Sequence, residues 1–210
     1  MKSLDSLIQN RRSIRKYLPD APPMEFITAI LQCSAYAPSP SNIQPVRFVR
    51  ILSRQTIEQL KQAVEIGRDA LLKKAETSVQ PKKIRNLIQA YFRFSAFMFD
   101  APALFAIGVI RDAQSFSGKL MEAKVISQDN RGDTDQDISV GLALKGFLLK
   151  AHELGLGACI LTAPLVFAPQ AGTILGLTDI QIKCFVTLGF PDEAPAFIEK
   201  KRVADIYREI

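Results

Sequence analysis

The stretch Ala37-Pro38-Ser39-Pro40-Ser41-Asn42-Ile43-Gln44-Pro45-Val46-Arg47-Phe48, residues 37 to 48, places a rigid polar loop directly before an apolar segment. Proline and small polar residues are typical of turns, because proline fixes φ and Ser or Asn side chains bond to nearby backbone groups. The branched and aromatic residues from 46 to 52 instead indicate a strand. The pattern therefore predicts a loop whose backbone and hydroxyl groups are held in place at the mouth of the core.

The length and composition indicate a globular protein. The chain has 210 residues, of which 48% are hydrophobic, so it can bury a substantial core, and we expect one domain over residues 1–210. No apolar run approaches the roughly 20 residues that span a bilayer, and the first residues lack the features of a signal peptide. We expect a soluble cytoplasmic protein with no membrane partner.

Cysteine and charge patterns limit the kinds of ligand. The three cysteines, Cys33, Cys159 and Cys184, lie far apart in apolar segments, so they are expected to be buried and to bind no metal. The net charge of +6 is concentrated in two short groups, at residues 11–16 and 200–202. With no zinc spacing and no interleaved aromatic residues, these groups fit a small phosphate better than a nucleic acid.

Hydrophobic periodicity predicts a chain of alternating helices and strands. Ser3 is expected to cap the first helix, Pro22-Pro23 to open the second and Pro81 to begin an amphipathic helix with an aromatic stripe over 84–99. Further segments are predicted as a helix over 55–74, strands over 46–52, 103–110, 157–161 and 182–188, and a buried helix over 138–154 that ends at Gly155. This alternation alone would predict a parallel sheet.

Residues 111–136 are predicted to form a surface excursion. Its end, DNRGDTDQD over 129–137, is rich in acids but does not match a calcium loop, because Gly132 stands at the fourth position rather than the sixth. No closing glutamate follows at the required place. Asp137 is expected to cap the next helix.

The catalytic motifs that the sequence could contain are absent or incomplete. Gly155-Leu156-Gly157 follows a helix and precedes a strand, and Ile160 stands where a dinucleotide-binding loop needs its third glycine. There is no serine nucleophile motif, and the sole histidine, His152, lies among apolar residues. We therefore assign no catalytic side chain and expect a bound cofactor to supply the chemistry.

Five segments together resemble the nitroreductase family of FMN-dependent oxidoreductases. They are RRSIRKY, APSPSNIQPVRF, LGLGACILTAP, VTLGFPDEAP and the late KKR, and the resemblance runs from about residue 5 to residue 205. It implies an α+β fold, with a mixed, mainly antiparallel central sheet surrounded by helices. It also implies an intertwined homodimer with two flavin sites at the interface, to which the helix over 138–154 and the stripe over 84–99 would contribute.

The resemblance also implies which residues bind FMN. Arg11, Arg12 and Ser13 would hold the phosphate and its surroundings, and Arg15 would face the pyrimidine edge of the ring. Pro38, Ser39, Pro40 and Asn42 would line the ring and ribityl chain of the other subunit's site. Leu161, Thr162 and Ala163 would present backbone towards flavin N5, and Lys200 and Arg202 would complete the phosphate site.

The implied activity is transfer of hydride from NADH or NADPH through FMN to a nitroaromatic, a quinone or a similar electrophilic small molecule, by a ping-pong mechanism. Two departures concern the acceptor: Val46 replaces a common tryptophan, and Pro40 replaces a small polar residue. Alternatives are flavin destruction or reductive dehalogenation on the same fold. A flavin-binding or nucleic-acid-binding module without turnover is the alternative outside enzymes.

Overall fold

The computed structural model of the protein describes residues 3–111, 116–128 and 133–210. Within these ranges, four strands form one sheet in the order β1-β2-β4-β3, and every neighbouring pair is antiparallel. The strands are β1 (Val46–Ile51), β2 (Ala103–Ile110), β3 (Gly157–Leu161) and β4 (Ile180–Gly189). The α+β architecture is confirmed, and the parallel sheet that alternation alone predicts is wrong.

Eight α-helices surround this sheet in the described residues. They are α1 (Leu4–Asn10), α2 (Met24–Ala35), α3 (Arg54–Ala75), α4 (Pro81–Ala96), α5 (Phe116–Glu122), α6 (Thr134–Glu153), α7 (Ala163–Phe167) and α8 (Ala171–Ile174). Two helices, rather than one, connect β1 to β2, and α3 packs along α4. Because such a pair returns the chain to the end of the sheet that it left, the next strand runs antiparallel. None of the described helices is long and apolar enough to cross a membrane.

The sheet has a separate apolar layer on each face. Helices α2 and α6 cover one face, where Phe147 stacks on Phe48 and meets the edge of Phe105. The other face is covered by α3, α4, α7 and α8, around Leu60 and Phe185. Strand β2 sends alternate residues into the two layers, as a strand buried on both faces must.

Several predicted helix ends are confirmed. The Ser3 hydroxyl accepts a hydrogen bond from the Ser6 backbone N–H at 3.2 Å, Pro23 directly precedes α2, and Pro81 is the first residue of α4. Gly155 ends α6 with φ of +79°, a left-handed conformation that glycine adopts without steric cost.

The prediction that Asp137 caps a helix is wrong, because α6 begins one turn earlier, with Asp133 at its N-cap. Both carboxylates instead contact the Lys183 ammonium, at 2.7 Å from Asp133 and 2.9 Å from Asp137. The 111–136 segment also contains α5, which the sequence analysis did not predict. The rest of the rejected calcium motif, residues 129–132, lies outside the described residues.

A β-bulge explains how Lys183 reaches α6. In the pairing of β2 with β4, Ile107 lies opposite Cys184 and Gly108 lies opposite Ile182. Lys183 is therefore an extra residue in β4, with no residue of β2 opposite it. A bulge bends the strand and redirects the side chain. Lys183 therefore connects β4 to the first turn of α6.

The aromatic stripe of α4 divides between core and surface. Ile88, Phe92 and Phe99 pack into the apolar layer beneath α3 and α4, whereas Leu87 and Tyr91 are about half exposed. The guanidinium of Arg68 lies 4.3 Å from the Phe92 ring centroid on the outer side.

Candidate functional site

The first basic segment, Arg11–Lys16, lies extended along the free edge of β3. Ser13 pairs with Ala158 in a parallel bridge, and the Ile14 N–H donates to the Ala158 carbonyl at 3.2 Å. Alternate side chains of an extended segment point the same way, which places Arg11, Ser13 and Arg15 on one side. Consistent with this, all three act on the thiol of Cys159 and counteract the rise in its pKa that burial causes.

Arg11 and Arg15 present two guanidinium cations on the same side of the segment as Ser13. Burial, and then the neighbouring charge of Arg12, lower the pKa of Arg11 from its ordinary value, although a guanidinium stays charged at neutral pH. Neither guanidinium takes part in an ion pair within the part of the chain that the structure describes. Two such cations beside a hydroxyl form a site suited to a small anion.

Arg12 points the other way and bonds to its own chain. Its Nη1 donates to the carbonyls of Gln9 and Arg11, at 2.6 Å and 2.9 Å, and its guanidinium lies 5.0 Å from the Phe197 ring centroid. Any direct contribution of Arg12 to a phosphate site would therefore come from its backbone. The contact with Phe197 brings the C-terminal segment beside the first motif.

A buried hydroxyl pair supports the first motif from below. The Tyr17 hydroxyl donates to the Ile14 carbonyl at 2.5 Å and lies 2.7 Å from the Thr187 hydroxyl. Because the Tyr17 hydrogen goes to Ile14, Thr187 is the donor of the 2.7 Å bond, and its oxygen also lies 3.5 Å from the Cys159 carbonyl. Burial raises the pKa of Tyr17, so its phenol stays neutral and serves as a donor. These bonds join the first motif to β3 and β4.

The Pro-Ser-Pro-Ser-Asn loop has a fixed and strained conformation. Pro40–Asn42 form a single 3₁₀ turn, and the Ser39 hydroxyl accepts the Gln44 backbone N–H at 2.8 Å. The Asn42 side-chain oxygen accepts the Gln44 amide at 3.0 Å. Ser41, Asn42 and Gln44 have φ values of 50°, 54° and 50°. Non-glycine residues in this region cost free energy and are often found at functional sites.

The loop and the first motif face different cavities. The loop residues Pro38, Ser39 and Asn42 line a cavity of about 510 Å³, together with residues of α2, β1 and α6. Arg12 and His152 line another cavity of about 320 Å³, and these two cavities share no residue. The cavity at the loop is therefore lined by no residue of the first motif, residues 11–16.

The remaining predicted residues lie at the end of β3 and in the C-terminal segment. Leu161 is the buried last residue of β3, Thr162 is exposed, and Ala163 begins α7. Lys200 is exposed, whereas Arg202 pairs with Asp205 at 3.3 Å between Nε and Oδ2. Of the late basic group, Lys200 is thus the better placed to bind an added anion.

Sequence reasoning missed a carboxylate that touches the first motif. Glu193 Oε1 accepts the backbone N–H groups of Arg15 and Lys16, at 2.5 Å and 3.2 Å. Its only signal in the sequence was an acid within the turn-forming PDEAP segment. Within the described ranges, no cluster of histidine, cysteine and acidic side chains could hold a metal ion.

Comparisons with known proteins place this geometry in a family. The model of the Nitroreductase family matches residues 8–190. Iodotyrosine deiodinase of Thermotoga neapolitana is 24% identical over 194 residues, which are 92% of this chain and 91% of that protein. The crystal structure of a BluB-like flavoprotein from Clostridium difficile 630 superimposes with a TM-score of 0.85 at 24% identity, with full coverage of both chains. The NADPH:FMN oxidoreductase of Vibrio harveyi, complexed with NAD⁺, gives a TM-score of 0.67 at 19% identity, covering 98% of this chain and 76% of that one.

Proposed function

Because the chain belongs to the nitroreductase family, we propose that it is an FMN-dependent oxidoreductase that uses NADH or NADPH to reduce an electrophilic small molecule. The observation that carries the proposal is the pair Arg11 and Arg15, whose guanidinium groups make no ion pair within the described residues and flank Ser13 on one side of the segment along β3. This donor set fits FMN, whose phosphate is dianionic and whose reduced ring carries negative charge. The proposed reductants are cytoplasmic metabolites, so the proposal places the protein in the cytoplasm.

Each residue of this set has a separate role in the proposal. Arg11 and Ser13 bind the phosphate, with Lys200 and Arg202 at its outer side and Arg12 contributing backbone. Arg15 lies at the pyrimidine edge, where a cation favours the reduced anionic ring. The end of β3, Leu161 to Ala163, supplies backbone contacts to the ring. FMN held by these residues would supply hydride transfer from NADH or NADPH to the acceptor, by a ping-pong mechanism.

We propose that the flavin site is completed by a second copy of the chain. The loop cavity contains no residue of the first motif, which supports a site in which Pro38, Ser39, Pro40 and Asn42 contact the flavin of another subunit. The outer face of α6 also leaves Ile138 54% and Leu142 43% exposed. Large apolar side chains on one face of a helix favour burial against a partner. Each site would then combine one subunit's first motif with its partner's loop.

Mixed dimers test this composite site. The double variant Arg11→Ala/Arg15→Ala lacks the cations, and Asn42→Ala with Ser39→Ala lacks the loop contacts. Refolding the two inactive proteins together should restore about a quarter of the wild-type sites, since half of the dimers are mixed and each has one intact site. Absence of any recovery in mixtures whose mixed dimers are verified by mass would contradict the shared site.

The acceptor class is proposed from the family as a nitroaromatic or a quinone. Reductive dehalogenation is the second candidate, which the iodotyrosine deiodinase relative supports. Turnover with a nitroaromatic, a quinone and 3-iodotyrosine under the same reductant separates these activities. Exclusive turnover of the iodinated substrate would replace the first candidate with the second, and loss of the flavin spectrum during aerobic turnover would instead indicate flavin destruction.

A further inference from the structure

We propose that Glu193 is the positioning residue of the cofactor site: it fixes the backbone from which Arg15 projects, and its charge offsets part of the Arg15 charge at the flavin. This inference rests on the proposed function, because it concerns the same site. Glu193 follows β4, 178 residues after Arg15 in the chain, and it makes the most distant contact in sequence that the Arg15 backbone has among the described residues.

Glu193 lies at the end of a short stretch of backbone pairing between residues 16–18 and 190–192. The Leu18 N–H donates to the Phe190 carbonyl at 2.9 Å, Tyr17 pairs with Pro191 in an antiparallel bridge, and the Asp192 N–H donates to the Lys16 carbonyl at 3.0 Å. Beyond that point backbone pairing stops. At the next position, the Glu193 side-chain carboxylate, rather than its backbone, accepts hydrogen bonds from the N–H groups of Lys16 and Arg15.

One oxygen atom accepts both bonds, which fixes the direction of the chain at Arg15. The two N–H groups belong to successive residues and converge on Oε1, at 2.5 Å and 3.2 Å. Bonds from amides to a carboxylate are stronger than bonds between neutral groups. The Arg15 side chain makes no other anchoring contact within the described residues, so this backbone bond is what sets its starting direction.

The Glu193 charge acts on the same surroundings as the Arg15 charge, with the opposite sign. Glu193 raises, and Arg15 lowers, the pKa of both Cys159 and Tyr17, although burial is the largest cause of the rise in each. Glu193 makes no ion pair among the described residues. Its negative charge lies against the backbone of Arg15 and Lys16, where it offsets part of the Arg15 charge.

Two substitutions separate the positioning role from the charge. Glu193→Gln keeps an oxygen that can accept both N–H groups but removes the charge. Glu193→Ala removes both the acceptor and the charge. Glu25→Gln is the matched control, because Glu25 is an exposed carboxylate in the first turn of α2 and its substitution changes the net charge equally.

The experiment measures three quantities on the full-length protein: the Kd of FMN by fluorescence titration, the midpoint potential of the bound flavin, and hydrogen exchange of the Arg15 and Lys16 amides without FMN. For Glu193→Gln we expect a Kd within about twofold of wild type and a more positive midpoint potential. For Glu193→Ala we expect about tenfold weaker FMN binding and faster exchange at both amides. Glu25→Gln should match wild type in all three.

The outcomes distinguish this inference from the proposed function. Wild-type protein that binds no FMN overturns the proposed function, and the exchange measurement still decides the positioning role. Wild-type FMN binding, with both Glu193 variants equal to wild type in Kd, potential and exchange, overturns the inference and leaves the function standing. A potential that does not move in Glu193→Gln, together with weaker binding in Glu193→Ala, overturns the charge effect alone.

Discussion

Gly157 packs directly against Ile14, and a Cβ atom added at Gly157 would lie 2.5 Å from Ile14 Cγ1. Ile14 is the buried residue between Ser13 and Arg15, so this contact sets how closely the first motif approaches β3. A methyl group at 157 must push the motif away from the strand. The close approach of these two residues thus positions the segment that carries the proposed cofactor site.

We expect Gly157→Ala to weaken both the fold and the site. Overpacking a filled interior typically costs about 1–3 kcal/mol of unfolding free energy. The displaced motif should also bind FMN several-fold less tightly, because Arg11 and Arg15 project from it. Urea denaturation and FMN titration measure the two effects.

A double-mutant cycle with Ile14→Ala checks the cause. Ile14→Ala takes away Cγ1 and Cγ2, two of the three atoms that the new methyl group meets, and leaves Cβ at 2.6 Å. The two substitutions should therefore cost less together than the sum of their separate costs. Strict additivity would show that the Gly157→Ala effect arises elsewhere.

Arg15 is expected to raise the midpoint potential of the bound flavin. Arg15→Ala removes a cation from the proposed pyrimidine edge, so the reduced flavin should bind less tightly relative to the oxidised form and the midpoint potential should fall. Arg15→Lys keeps the charge and should retain most of the potential. A redox titration measures the change, and an unaltered midpoint in Arg15→Ala with FMN still bound contradicts the assignment.

The three cysteines should differ in reactivity. Burial raises the pKa of Cys184 to about 12 and also raises that of Cys159, whereas Cys33 is only half-buried. The thiolate is the reactive form, so a disulfide reagent should modify Cys33 first in the native protein and all three after unfolding. Cys33→Ser should abolish the rapid phase. Rapid modification of Cys184 in the folded state would contradict its burial.

The ion pair between Lys183 and Asp133 should make the free energy of unfolding depend on pH. Hydrogen bonds from Lys183 and Gln181 hold the pKa of Asp133 below its ordinary value. A carboxyl group whose pKa is lower in the folded than in the unfolded protein stabilises the fold at pH values above its unfolded-state pKa of about 3.9. This stabilisation is lost as the pH falls through the pKa that the group has in the folded protein. Asp133→Asn should therefore cost up to about 1 kcal/mol near neutral pH, because the carboxylate is half exposed.

Urea denaturation across this pH range tests the Asp133 prediction. The free energies of wild type and Asp133→Asn should converge as the solution is acidified below the ordinary carboxyl pKa. A difference that stays constant down to the lowest pH would show that the lost stability comes from packing or from the helix cap rather than from the ion pair.

The sequence predicts element types well where the signal is local. Ser3, Pro81 and Gly155 mark helix ends through side-chain and backbone chemistry of their own, and the structure confirms them. The direction of β2 relative to β1 depends instead on the number of helices that connect the two strands. Hydrophobic periodicity does not reveal that number. The resemblance to a family, rather than the pattern, predicted the antiparallel sheet.

The residues of the candidate site also divide into those with a local sequence signal and those without one. The basic residues of the first motif could be named from the sequence because their order and spacing carry the resemblance. Glu193, Tyr17 and Thr187 could not, because each acts through a contact with a residue distant in sequence. Gly157 was predicted to begin the strand over 157–161, but the space that its hydrogen leaves for Ile14 depends on how the first motif lies against β3.

Reconstitution with FMN tests the central claim most directly. The purified protein, incubated with FMN and desalted, should retain one flavin per chain. Anaerobic NADH or NADPH should bleach the flavin absorption, and a nitroaromatic or quinone acceptor should restore it. A protein that stays colourless after incubation with FMN, although folded by circular dichroism, would contradict the account.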